Sequence, residues 1–244
     1  MKSSREKEQD RYFRGRVTRR VLRMAVNLIT CFGAGIATYS IVLAFQDNLR
    51  AAWIGIVLAV AIDGLDGTLI RTFRLQALCP GFDGTRLDEY ADLVMFVIAP
   101  ILIMFAGEQL PANKWGIITM LAVVGGSCLQ FSYRQAKTSK VFWGFPAYWN
   151  IIYFYAWALG TTPEYVIGLS WILTTCLFLP IPFVYPTRTP YFRGLTLSLG
   201  FTWAIILLWF LWNPGLSMVW IYGSLAYPFY YIVISIWLYP RLKH

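Results

Sequence analysis

Residues 51–71 read AAWIGIVLAVAIDGLDGTLIR, an apolar run that ends in two aspartates, two glycines and an arginine. Such a run predicts a membrane-spanning helix with an acidic end. Comparable runs recur along the 244 residues, separated by turn signals at Asp47-Asn48, Pro80-Gly81, Gly107, Gly160 to Pro163, Pro186 to Pro190 and Asn213-Pro214-Gly215. Eight helices follow, at 27–45, 51–69, 87–106, 115–133, 148–159, 164–183, 195–212 and 217–239. The fold class is therefore all-α, a polytopic membrane protein of about eight transmembrane helices. The fifth helix falls short of the roughly 20 residues a span needs and is expected to extend at one end. Composition agrees: 14% of residues are charged, where a soluble domain carries roughly 25%.

The formal charge of +9 could suggest nucleic acid, but its distribution points to a membrane surface. Nine basic residues lie between Lys2 and Arg23, upstream of the first apolar run. There they suit an anionic leaflet, with each contributing on the order of 1 kcal/mol. Residues 1–26 are read as a cytoplasmic or interfacial segment, and 27–244 as one transmembrane domain. Tyr12, Phe13, Val17, Val21 and Leu22 give the segment a partial apolar stripe, as in an amphipathic helix lying on the membrane. With eight spans the N-terminal arm, Arg71, Arg74, Arg86, Arg134, Lys137, Lys140, Arg188, Arg193, Arg241 and Lys243 share one side, leaving Arg50 and Lys114 opposite. The positive-inside rule makes the first side cytoplasmic, with both termini there. Cys31, Cys79, Cys128 and Cys176 are far apart and the one histidine is His244, so no zinc-ligand pattern exists.

Four carboxylates, Asp63, Asp66, Asp88 and Asp92, fall at the cytoplasmic ends of the second and third helices. Each would cost about 2.5–3.5 kcal/mol at a span centre and less near the interface. Asp63, Asp66, Gly67 and Arg71 fall at offsets 0, 3, 4 and 8, and Gly84, Asp88 and Asp92 at 0, 4 and 8. Each set occupies one helix face. A short connection favours antiparallel neighbours, so the two acidic faces are expected to meet. All-oxygen ligands select hard cations, which predicts two divalent ions, Mg²⁺ or Mn²⁺, with Arg71 available to a bound diphosphate. Gly67 and Gly84 leave room for a nucleotide or phosphate near the backbone. A membrane prenyltransferase or a cation transporter could also use such acids. The first normally carries its acidic motifs on well-separated helices, and the second would hold its acids near mid-bilayer.

Asp63-x2-Asp66-Gly67-x3-Arg71 followed by Gly84-x3-Asp88-x3-Asp92 resembles the signature of the CDP-alcohol phosphatidyltransferases, a motif that fixes seven positions. Ile70 stands where that family usually has alanine, and the interval from Arg71 to Gly84 is longer than in most members. The bacterial phosphatidylcholine synthase branch has the longer interval. Its Gly-Phe-Pro-x-x-Trp-Asn stretch is similar to Gly144-Phe145-Pro146-Ala147-Tyr148-Trp149-Asn150. The resemblance implies a bacterial inner-membrane enzyme with its active site facing the cytoplasm, transferring the phosphatidyl group of CDP-diacylglycerol to choline and releasing CMP. It implies metal binding by Asp63, Asp66, Asp88 and Asp92, with Asp92 also the general base. It further implies CDP-diacylglycerol binding by Asp66, Gly67, Thr68, Arg71 and Gly84, and a possible homodimer. Choline's quaternary ammonium is usually hosted by aromatic faces, and Tyr90, Trp143, Tyr148 and Trp149, with Asn150, are the acceptor-site candidates. Tryptophan and tyrosine also collect at membrane boundaries for reasons unrelated to binding. A sibling enzyme using serine, glycerol phosphate or an inositol phosphate is the nearest alternative, and Arg134, Lys137 and Lys140 could supply it with a basic pocket.

Overall fold

A computed structural model of the chain describes residues 4–73, 75, 82–133, 141–184 and 191–242. Helix α1 (Ser4–Phe45) runs unbroken through the 26/27 boundary, and α2 (Leu49–Thr72) returns antiparallel beside it. At about 1.5 Å per residue, the 42 residues of α1 outreach a hydrocarbon core of about 30 Å. Side chains of residues 1–16, with Tyr12 and Phe13 of the expected stripe, lie outside the described residues. Val17, Val21 and Leu22 are exposed.

The α1–α2 contact depends on small residues. Ala37, Ala44, Ala52 and Ala59 are fully buried, and a Cβ on Gly55 would collide with the Ser40 hydroxyl. Small side chains let membrane helices approach closely, because lipid already solvates the large apolar ones.

The third span is continuous from Gly84 to Ala106 but changes pitch within itself. It comprises α3 (Gly84–Asp92), a π-helical segment (Leu93–Ile98) and α4 (Ala99–Ala106). Pro100 has no N–H to offer Phe96, and its ring crowds that carbonyl. The backbone responds with the wider turn, in which Ala99 N–H reaches Val94 O. Helix α5 (Lys114–Ser132) follows, capped by Asn113 Oδ1 accepting from Trp115 and Gly116 N–H at 3.0 Å each.

The next region differs from expectation. Helix α6 (Trp149–Ala158) has 10 residues and α7 (Pro163–Cys176) has 14. Neither is long enough to cross a bilayer alone. The extension expected for the fifth helix is not helical: β1 (Val141–Trp143) pairs antiparallel with β2 (Pro182–Val184). The reason is local chemistry. Gly144 has φ +80 and Ala147 has φ 53, and a Cβ on Gly144 would strike the carbonyl of Leu177, 2.8 Å from its carbon. Irregular backbone at this depth needs partners within the protein. Gln130 Nε2 donates to the carbonyls of Phe145 at 2.6 Å and Leu177 at 3.3 Å, and Phe145 N–H donates to Cys176 O at 2.9 Å.

Helix α8 (Arg193–Trp212) ends against Arg50, whose Nη1 donates to the carbonyls of Phe210 at 2.7 Å and Leu211 at 3.0 Å. That places a cation at the negative end of the helix dipole. Helices α9 (Met218–Ser224) and α10 (Ala226–Leu242) complete the fold. Tyr231 and Ser235 on α10 bond the backbone of Val184 and so tie down β2. Among the described residues, six of the eight expected spans are long and apolar enough to cross a membrane: Arg20–Phe45, Leu49–Ile70, Gly84–Ala106, Lys114–Ser132, Arg193–Trp212 and Met218–Leu238.

Candidate active site

The acids come together through two helix starts and one change of pitch. Asp83 caps α3, its Oδ1 accepting from Thr85 N–H at 3.0 Å and Arg86 N–H at 3.3 Å. Gly84, Asp88 and Asp92 therefore line up on successive turns. Asp92 is the last residue before the π segment, a kind of irregularity that recurs at functional sites. Across from it, Asp63 and Asp66 stand one turn apart on α2.

Asp63, Asp88 and Asp92 offer carboxylate oxygens that all lie within 4.8 Å of one another. Asp66 is turned toward α1. It is 1% exposed, and its Oδ2 accepts a short hydrogen bond from Thr30 Oγ1. Its Oδ1 is buried with no hydrogen-bond partner among the described residues. The charges acting on Asp66 are Asp88 and Arg23. Three convergent carboxylates with an unsatisfied fourth oxygen beside them form an all-oxygen donor set, which fits hard divalent cations such as Mg²⁺ and Mn²⁺.

The remaining motif positions sort by helix face. Gly67 follows Asp66, and Thr68 Oγ1 bonds back to the Gly64 carbonyl at 2.8 Å from an exposed position. Arg71 belongs to α2, but its side chain lies outside the described residues. Gly84 was expected to admit a nucleotide or a neighbouring helix. What lies over it is the Arg23 guanidinium, with Cζ 3.0 Å from where a Cβ would stand.

Two acceptor candidates do not fit an accessible wall beside the acids. Trp149 is fully buried between Phe145, at 5.3 Å, and Tyr153, stacked at 5.5 Å, and its Nε1 donates to Ser127 Oγ at 2.9 Å. It is a core residue with no free ring face. Tyr90 is 66% exposed, two residues from both Asp88 and Asp92, and so off the acid face. Tyr148 does approach, its ring 6.0 Å from Phe96, one turn beyond Asp92, and 6.2 Å from Tyr231. Trp143 is half-buried in β1. Asn150 lines an apolar cavity of about 160 Å³ between α2, α6 and α8, which also touches Ala61, two residues before Asp63.

The sequence reading missed a third wall. Arg23, Asn27 and Thr30 occupy one face of α1, at offsets 0, 4 and 7, and Thr30 reaches Asp66 while Arg23 reaches Gly84. Three polar residues at helical spacing near the start of an apolar span were the available signal.

The model of the CDP-alcohol phosphatidyltransferase family matches residues 23–179, from Arg23 through α7. Among curated proteins, the phosphatidylcholine synthase of Borreliella burgdorferi is 30% identical over 183 residues, covering 73% of this chain and 76% of the relative. The phosphatidylcholine synthase of Bradyrhizobium diazoefficiens is 30% identical over 208 residues, 82% of this chain and 76% of its own length. That of Legionella bozemanae is 32% identical over 160 residues, 65% and 73% respectively. With the acidic motif on facing helices and this match across most of its length, the chain belongs to the CDP-alcohol phosphatidyltransferase family.

Proposed function

We propose that this protein is a phosphatidylcholine synthase, which transfers the phosphatidyl group of CDP-diacylglycerol to choline and releases CMP. The observation that carries the reading is the convergence of Asp63, Asp88 and Asp92 within 4.8 Å. Similarity to relatives named phosphatidylcholine synthase supports choline as the acceptor.

Asp63, Asp66, Asp88 and Asp92 would hold two divalent ions. When bound, such ions neutralise a diphosphate and stabilise the departing phosphate. The protein's own groups do the rest. Asp92 takes the proton of the choline hydroxyl at its carboxylate as the choline oxygen bonds to phosphorus. The bond from that phosphorus to the CMP oxygen breaks, and the electron pair leaves on CMP. Gly67, Thr68 and Arg71 are assigned to the nucleotide on the strength of the motif they complete. Asp92 is the last residue before the π-helical turn that begins at Leu93, a kind of irregularity that recurs at functional sites.

Acceptor recognition narrows to Tyr148, beside Phe96 and Tyr231, with half-buried Trp143 the remaining aromatic candidate. Aromatic faces suit a cation that cannot donate a hydrogen bond, each contributing about 0.5–2 kcal/mol. The charge asymmetry supports an active site on the cytoplasmic face of the inner membrane with both termini inside. Assembly as a homodimer belongs to the same proposal and is read by cross-linking in native membranes.

The test is purified protein with Mn²⁺, CDP-diacylglycerol and labelled choline, serine, glycerol phosphate and inositol phosphate. Choline-dependent CMP release with labelled phosphatidylcholine is expected. Incorporation of serine or a phosphorylated acceptor instead would reassign the acceptor. Ion flux in liposomes without CMP release would overturn the enzyme reading.

A further inference from the structure

The α1 face presents two hydrogen-bond donors without a partner among the described residues. Arg23 Nη1 and Asn27 Nδ2 are buried without hydrogen-bond partners among the described residues, and Asn27 is only 5% exposed. They bracket the site: one turn beyond Asn27, Thr30 bonds Asp66, and one turn before it, Arg23 lies over Gly84. Asn27 thus sits between two points already fixed beside the acids. Burying such donors unpaired is costly, more so when they are charged, so retaining both points to an acceptor from outside these residues.

Arg23 is not simply the counter-ion of Asp66. Asp66 Oδ1 also lacks a partner, so the guanidinium and that oxygen do not bond to each other. Nor is Gly84 empty by chance. Any side chain there would expel the guanidinium, so the glycine provides the space Arg23 occupies.

We propose that Arg23 and Asn27 form a phosphate-binding wall of the site, donating to oxygens of the nucleotide–lipid diphosphate opposite the four aspartates. The inference rests on the phosphatidyl-transfer reading and extends it to residues upstream of the acidic motif. An unpaired guanidinium and an amide N–H ask for an acceptor-rich anion. Carboxylates alone would repel such an anion, so cationic donors on the facing helix are what let it bind in a defined orientation. Arg23 and Asn27 act on the substrate's phosphates and leave the acceptor and the proton transfer to other groups.

The experiment is binding of cytidine, CMP and CDP to the full-length protein with Mn²⁺, for wild type, Arg23→Gln, Arg23→Lys and Asn27→Leu, alongside CMP release from CDP-diacylglycerol. Loss of a charge-assisted bond weakens binding by about 10- to 100-fold. Arg23→Gln is expected to lose that much affinity for CDP while keeping its affinity for cytidine. Its KM for CDP-diacylglycerol should rise, with KM for the acceptor unchanged. Asn27→Leu should show the same pattern, about 10-fold. Arg23→Lys keeps charge and stem but loses the fork, so it should fall between wild type and Gln and decides the matter if the Gln variant fails to fold. Wild-type CDP affinity in Arg23→Lys and Asn27→Leu, or equal losses for cytidine and CDP, overturns the inference and leaves the enzyme reading standing. A wild-type protein that neither binds CDP nor releases CMP overturns both.

Discussion

The acid faces of α2 and α3 and the knot around Gly144 are built from opposite kinds of chemistry. At the acids, like charges are crowded together: three carboxylates offer oxygens within 4.8 Å of one another, and Asp66 Oδ1 has no hydrogen-bond partner among the described residues. At the knot, most of the irregular backbone is answered by side chains, though Asn150 Oδ1 and Thr174 Oγ1 have no hydrogen-bond partner among the described residues. Gln130 serves the carbonyls of Phe145 and Leu177, Ser127 accepts from Trp149, and Tyr231 and Ser235 hold Val184. Crowded like charges call for cations from outside the chain, whereas backbone held by side-chain hydrogen bonds stabilises the fold. Changes in the first should therefore remove activity and spare stability, and changes in the second should do the reverse.

The sharpest break in that contrast would come from Asp92→Asn. Removing a general base that also serves as a ligand should lower CMP release by about 10²- to 10⁴-fold. Thermal unfolding in detergent should stay at or above wild type, because a repelling charge has gone. A large loss of stability would instead make Asp92 part of the knot's class. Gly144→Ala probes the other side. Its φ of +80 and the collision with the Leu177 carbonyl should together cost about 1–3 kcal/mol, read as a lower unfolding midpoint. The KM of the molecules that remain folded should stay the same.

Thr30→Val tests the boundary between the two. It strips Asp66 of its side-chain hydrogen bond from α1 and should raise the Mn²⁺ needed for half-maximal activity by about 10-fold, the usual effect of removing a partner behind a metal ligand. An unchanged metal requirement would move Asp66 out of the metal site. The smallest effect belongs to Arg86→Gln. Its 3.3 Å pair with Asp83 is mostly exposed, so stability should change by less than about 1 kcal/mol. A larger shift would show that the α3 cap supports the acids through this pair.

The sequence alone determined the membrane class, most of the spans and the acidic site. Apolar runs and a period of 3.6 are local properties, and Asp63, Asp88 and Asp92 share helix faces whatever the rest of the chain does. Charges inside apolar runs are conspicuous because the alternative environment is lipid. Tertiary structure alone decided three things. Trp149 belongs to the core, since only packing shows Phe145, Tyr153 and Ser127 around its ring. The β1–β2 ribbon replaces a helical extension, because its hydrogen bonds join residues about 40 positions apart. And Arg23 lies over Gly84, and Thr30 reaches Asp66, only because α1 packs against α2 and α3, contacts between separate segments that no local pattern encodes.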